Sequence, residues 1–307
     1  MDSRTASPST PSKQVNSSIE LIRLIAVILI TFTHTRNDLN GGFFHFLVET
    51  LPTYGTAILS VVSGYLYFRV SRKKQKLFEK KVKSLAIPYL IANGGVLILA
   101  LILNYVLGYN PLNRFSYDAQ LLAEGLFALN IPPINPPTYF IRDIFIIFAI
   151  IALFTQRELR ALLVLIPFVL FGTLVLRYDV AFLFGIGLLY GKYKEELKKG
   201  PLLLGLFILT ALTAWWFLDF VKLPLALLCF VALVDLPFRF YRTGRYSYLL
   251  HLYHSPVIVI TYPFMSLYIS NPFLSILVQI GIAATGVYVL FLLTKVYKPL
   301  TILSGGR

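Results

Sequence analysis

Arg23 and His34 stand eleven residues apart in a stretch made almost wholly of Ile, Leu, Val, Ala and Phe. On a helix advancing 100° per residue, eleven residues make about three turns, so both side chains share one face roughly 16 Å apart. Glu20 and Asp38 fall near the same stripe, three before Arg23 and four after His34. Ionisable groups inside an apolar run are costly and point to function. Such a stripe faces a polar cavity rather than lipid. His34 is the candidate general base, because imidazole titrates near neutrality. Asp38, or a carboxylate from another helix, would orient it and stabilise the imidazolium. A buried network that only fixes helix packing is the structural alternative.

Two further groups could take part. Arg142 and Asp143 are neighbours near the start of another apolar run. They read either as a catalytic pair or as an ion pair that satisfies itself. His251 and His254, with Tyr248 nearby, share a helix face. No carboxylate or cysteine partner accompanies them, so a metal is not expected. Cys229 is the single cysteine, which excludes a disulfide within the chain.

The elements that must position these residues follow from composition. Of 307 residues, 57% are hydrophobic and only 14% charged, and the mean hydropathy is +0.74. Soluble domains carry roughly a quarter charged residues, so soluble, disordered and fibrous classes are excluded. The expected fold is an all-α polytopic membrane bundle. A span needs about 20 mostly apolar residues. Ten candidates fit: 17–39, 53–70, 84–107, 138–155, 158–176, 179–193, 201–219, 221–238, 246–266 and 272–297. Residues 1–16, rich in Ser, Thr and Pro, read as a disordered cytoplasmic tail. Residues 17–300 form one transmembrane domain and 301–307 a C-terminal tail. No small-residue cleavage site follows the first run, which is therefore expected to stay as an anchor.

The net charge of +14 is placed by topology. The connection 69–83 holds eight Lys/Arg and one Glu, while 157–160, 192–199 and 239–245 hold two, four and three cations. With the terminal segments, these account for 22 of 28, all on alternate connections. That is the positive-inside pattern for ten spans with both termini cytoplasmic. The basic excess therefore does not call for nucleic acid. At the end of the second span, Arg69 and Arg72 present planar guanidinium groups suited to phosphate. Lys73, Lys74 and Lys76 add a softer field. Attraction to anionic lipid is the plainer reading of this run.

Five fragments in order resemble the membrane acyltransferase-3 family, the O-acyltransferases that decorate surface glycans. The first span carries that family's Arg, ten residues, His as Arg23 and His34. Ser63-Gly64-Tyr65 followed by Arg69 and Arg72 is similar to its Ser-Gly-aromatic motif and its RxxR. The stretch Leu85–Leu90 resembles its third-helix entry, and Tyr139-Phe140-Ile141-Arg142-Asp143 its Trp-Phe-Leu-x-Asp segment. Residues Ser247 to Pro256 resemble its Ser-Tyr-Gly-Ile-Tyr-Leu-Leu-His-x-Pro signature, with Leu249 in place of Gly and His251 in place of Tyr.

The resemblance implies an acyl-CoA donor, usually acetyl-CoA, arriving from the cytoplasm at Arg69 and Arg72, with Ser63, Lys73 and Lys74 beside them. It implies His34 as catalytic residue, acting either as base or as a covalent acyl carrier. Arg23 or Arg142 would steady developing oxyanion charge or the donor itself. His254 and Tyr248 would contact the acceptor, a glycan or lipid-linked sugar. The expected setting is a bacterial inner membrane, with no nucleic-acid partner. A second copy of the chain, or a separate extracytoplasmic protein, is the further partner where one is needed. The outer segment 108–137 reads as an interfacial helix and loop or as a bland cap. A transporter or flippase of a glycan intermediate is the rival class. It needs no phosphate-binding arginines, and no internal repeat supports it.

Overall fold

The computed structural model describes residues 17–37, 39, 41–108, 115–154, 158–173, 175–237 and 240–306. The expected tail 1–16 and the candidate Asp38 lie outside them. Every regular element among the described residues is helical, and each of the ten expected segments contains a helix. These are α1 (Ser17–Phe32), α2 (Tyr54–Leu66), α3 (Ile87–Leu107), α4 (Tyr139–Phe154) and α5 (Glu158–Phe171). They continue as α6 (Tyr178–Tyr193), α7 (Lys199–Trp216), α8 (Lys222–Leu233), α9 (Gly244–Met265) and α10 (Pro272–Val296).

Among the described residues, five continuous helical stretches are long and apolar enough to cross a membrane: Gly42–Ser71, Leu77–Val106, Pro136–Leu153, Lys199–Trp216 and Pro272–Val296. α2 belongs to the first of these because a π-helical turn, Tyr67–Ser71, carries it on to Arg69. α7 exposes Leu204, Phe207, Ile208, Trp215 and Trp216. A contiguous apolar face of that kind is covered by lipid, not water.

Several boundaries differ from the sequence reading. α1 ends at Phe32 rather than near residue 39. The hydroxyls of Thr33 and Thr35 donate to the carbonyls of Ile30 and Phe32, each at 2.8 Å, and so satisfy the end of the helix. At the other end of the chain, the expected tail 301–307 begins inside a 3-10 helix, Lys298–Ser304. Its Ser304 is fully buried. α10 starts where the Asn271 side chain accepts the N–H groups of Phe273 and Leu274, with Pro272 at the first helical position.

α2 is the centre of the bundle, and glycine puts it there. A Cβ on Gly64 would stand 1.9 Å from the Phe184 carbonyl oxygen of α6, and one on Gly187 would stand 2.2 Å from the Val61 oxygen of α2. A Cβ on Gly55 would meet the Ala26 oxygen of α1 at 2.3 Å. The three helices touch backbone to backbone, as small residues permit in membranes.

The segment between α3 and α4 is more than a cap. Its described part opens with a helical turn, Ala119–Leu122, and a π turn, Ala123–Phe127. Glu124 accepts the backbone and side-chain N–H groups of Asn130 at 2.8 and 2.5 Å. These bonds hold its carboxyl below the usual carboxylate range. Beyond it the chain turns inward, so that Asn135 and Thr138 are buried at 1% and 0% exposure. Irregular backbone at such depth needs side-chain partners. Asn93 of α3 accepts the Asn135 N–H at 3.1 Å and donates to the Thr138 hydroxyl at 2.9 Å. Pro256 has no N–H to give the Leu252 carbonyl inside α9, and the Asn135 amide donates to that carbonyl at 2.8 Å instead.

Candidate active site

A cavity of about 820 Å³ opens among α1, α2, α4 and α9. Its size lies within the roughly 300–1,000 Å³ of small-molecule sites. α1 contributes Ile19, Glu20, Arg23 and Val27, which recur at helical spacing on one face. α9 contributes Gly244, Ser247, Tyr248 and His251, again one face over two turns. α2 and its π-turn extension add Leu59, Val62, Ser63, Leu66 and Arg69, and α4 adds Phe140, Ile141, Ile144 and Phe148. Lys74 and Lys81, from the basic connection after α2, complete the lining. The result is a cavity of mixed lining that brings Arg23, Arg69, Lys74, Lys81 and one carboxylate, Glu20, onto the same walls as His251.

The candidate donor-binding residues divide. Ser63, Arg69 and Lys74 line the cavity, whereas Arg72 and Lys73 do not. The Arg69 guanidinium pairs with Glu195 at 3.1 Å on the surface. Arg72 lies over the Phe68 ring, 3.7 Å from its centre. Ser63 donates its hydroxyl hydrogen to the Leu59 carbonyl at 2.8 Å and keeps its acceptor lone pairs. Lys81, which sequence reasoning passed over as one cation of a topology signal, lines the wall with its ammonium 3.5 Å from the Phe148 ring centre.

Arg23 also lines the wall, with Glu20 beside it at 3.6 Å. His34 lies past the end of α1, in a turn where its N–H donates to the Thr31 carbonyl at 3.2 Å. It is half-buried, and its ring packs on His254 of α9 with centres 5.2 Å apart. Gln279 of α10 holds Arg36, two residues on, in place. Its amide oxygen accepts the Arg36 N–H at 2.7 Å and its amide nitrogen donates to the Arg36 carbonyl at 2.8 Å. Sequence reasoning missed Gln279, although a lone amide in a 25-residue apolar helix is a usable signal.

Tyr248 lines the cavity and donates its hydroxyl hydrogen to the Ser84 carbonyl at 3.0 Å. His254 does not line it: it is fully buried, and its Nδ1 bonds the Leu250 carbonyl at 2.6 Å. His251 is 2% exposed, and its Nε2 bonds the Pro137 carbonyl at 3.0 Å. A carbonyl only accepts, so Nε2 carries the hydrogen and Nδ1 is left as a lone pair. That Nδ1 has no hydrogen-bond partner among the described residues.

Arg142 and Asp143 do not reach the cavity. Asp143, with no exposure, accepts Arg142 Nε and Nη2 through one oxygen at 3.1 and 2.9 Å. Its other oxygen accepts the backbone N–H and the Nε of Arg177, both at 3.4 Å. Arg142 Nη1 also donates to the carbonyl of Ala128 at 2.7 Å, a residue in the left-handed region at φ 53°. The pair thus ties α4 to the segment between α3 and α4 and to the entry of α6. Removing one partner of a buried ion pair strands the other, at a cost of about 3–5 kcal/mol. Asp143→Asn is expected to lower the melting temperature of the detergent-solubilised protein by several degrees. An unchanged melting temperature would return Asp143 to a chemical role.

Among the described residues no three of His, Cys, Asp and Glu form a metal-ligand set. The model of a family described as an acyltransferase domain matches residues 16–295. The succinoglycan biosynthesis protein ExoH of Rhizobium meliloti (strain 1021) is 29% identical over 147 residues, which cover 42% of this chain and 40% of that protein. The chain therefore matches only about two-fifths of that relative's length. No solved structure matches.

Proposed function

From the premise that this chain belongs to the acyltransferase family, we propose that it is a membrane O-acyltransferase with a cytoplasmic acyl-CoA donor. The acyl group is acetyl in the simplest case, and the acceptor is a hydroxyl of a glycan or lipid-linked sugar. The observation that carries the reading is the cavity, whose mixed apolar and polar lining includes four cations, Arg23, Arg69, Lys74 and Lys81, against one carboxylate, Glu20. A donor with a phosphate-rich head and a long thin arm has the complementary chemistry. Arg69 offers a planar fork to phosphate, and Lys74, Lys81 and Arg23 add positive field. Arg72 and Lys73 meet the head from outside the cavity. The acceptor class rests on the likeness to a succinoglycan biosynthesis protein.

The proposed arrangement has ten spans and cytoplasmic termini, in a bacterial inner membrane. A helix in each of the ten expected segments, among the described residues, and alternately basic connections support it. The acyl end of the donor then points toward His251, and His254 follows three residues on, about 4.5 Å further along the α9 axis. His34 packs there. In the direct route, His34 removes the hydroxyl proton of the acceptor. The oxygen attacks the thioester carbonyl carbon, the C–S bond breaks, and His34 returns the proton to the departing thiolate. Arg23 lines the cavity from α1, whereas His34 lies past the end of that helix and off the cavity wall. Arg23 therefore serves the donor, not an oxyanion at His34. Arg142, closed in its own ion cluster, does not serve one either.

Arg69→Ala is expected to raise the KM for acetyl-CoA about tenfold with a smaller change in kcat, since one charge-assisted contact is worth about 1.5–3 kcal/mol. Transfer of radiolabel from acetyl-CoA to membrane glycan or lipid measures both. An unaltered KM in Arg69→Ala, or no labelled acceptor with the parent protein, would remove the donor assignment.

A further inference from the structure

His254 is buried with no exposure, yet its Nε2 has no hydrogen-bond partner among the described residues. Its tautomer follows from geometry. Nδ1 lies 2.6 Å from the Leu250 carbonyl, which can only accept, so Nδ1 carries the hydrogen. Nε2 is therefore a bare lone pair inside a protein interior, where unpaired polar atoms are costly and rare. The ring that packs on His254 is that of His34, at 5.2 Å between centres and 46° between planes. An imidazole needs one nitrogen bare to act as base, and which one is bare depends on the bond the other makes.

We infer that His254 is a positioning residue for His34. Its Nε2 accepts the N–H of His34, which fixes the His34 tautomer and turns the bare His34 nitrogen to the acceptor hydroxyl. The inference rests on the assignment of His34 above. Positioning bonds of this kind are often loose before substrate binds and shorten in the reactive complex. When His34 takes the hydroxyl proton, the same bond spreads the charge of the imidazolium. α9 can hold the ring in one orientation because the Leu250 bond lies within its own turn. The Asn135 bond to Leu252 pins the same stretch from outside.

The test uses the full chain in membranes, with radiolabelled acetyl-CoA as probe and labelled glycan or lipid as readout. His254→Gln keeps an acceptor where Nε2 stands, and His254→Asn keeps a donor where Nδ1 stands but nothing at Nε2. The expected result is a kcat about 30-fold or more below the parent for His254→Asn. The KM for acetyl-CoA should stay within twofold, and His254→Gln should recover most of the rate. A parent-like kcat in His254→Asn, or equal losses in the Asn and Gln variants, would overturn the inference. His34→Ala separates the two readings. If it is inactive while His254→Asn is unimpaired, only the positioning role fails; if it is active, the His34 assignment itself fails.

Discussion

Alanine at position 34 is expected to reduce acyl transfer to background while the protein still inserts and purifies as a single species. A general base contributes about 10²–10⁴ in rate, and a covalent carrier contributes all of it. The loss should fall on kcat. His34 does not line the cavity at any point, so the KM for acetyl-CoA should hardly move. The fold should survive as well. His34 lies in the turn beyond α1 and is half-buried, and the neighbouring backbone is held independently by Gln279. Radiolabel transfer in membranes with matched protein content measures the effect. Transfer above one-tenth of the parent rate would sink the assignment.

The second large effect is expected at a residue with no chemistry. Gly64→Ala adds one methyl group 1.9 Å from a backbone oxygen of α6. The obstacle is backbone rather than the end of a flexible side chain, so α2 and α6 must separate. Overpacking of this kind costs about 1–3 kcal/mol, and a contact this short belongs at the upper end. Alanine's better helix propensity returns only about 1 kcal/mol. Activity should fall too, because Ser63 and Arg69 ride on the displaced helix. Gly95 of α3 is the matched control: the same change there meets nothing within 4 Å. Gly95→Ala should therefore stabilise by up to about 1 kcal/mol. Thermal unfolding in detergent compares the two, and equal melting temperatures would refute the close-contact account.

The Ser63-Gly64 motif shows how a sequence signal can carry two causes. Read along the chain it marks a donor-binding end of a helix. In three dimensions Ser63 does line the cavity, while Gly64 beside it sets the α2–α6 distance. The stripe on α1 was legible in part. Glu20 and Arg23 share the cavity wall as the helical period requires, but the period stops at Phe32, where threonine hydroxyls close the helix before His34. The Arg142–Asp143 pair could be read two ways from sequence. Arg177, 34 residues after Asp143, completes the cluster.

The sequence by itself determined the membrane class, the helical fold, the places of the helices, and the family to which the Arg23, His34, Ser63 and Arg69 pattern belongs. Hydropathy and spacing are local quantities, written within windows of about 20 residues. The tertiary structure alone decided which of many cations face the cavity. It brought in Lys81 and Arg23 and left Arg72 and Lys73 outside. It also joined His34 to His254 across most of the chain. Such pairings depend on how each helix is rotated and how closely its neighbours approach. Those are set by backbone contacts at residues such as Gly64 and Gly55, whose partners are remote in sequence.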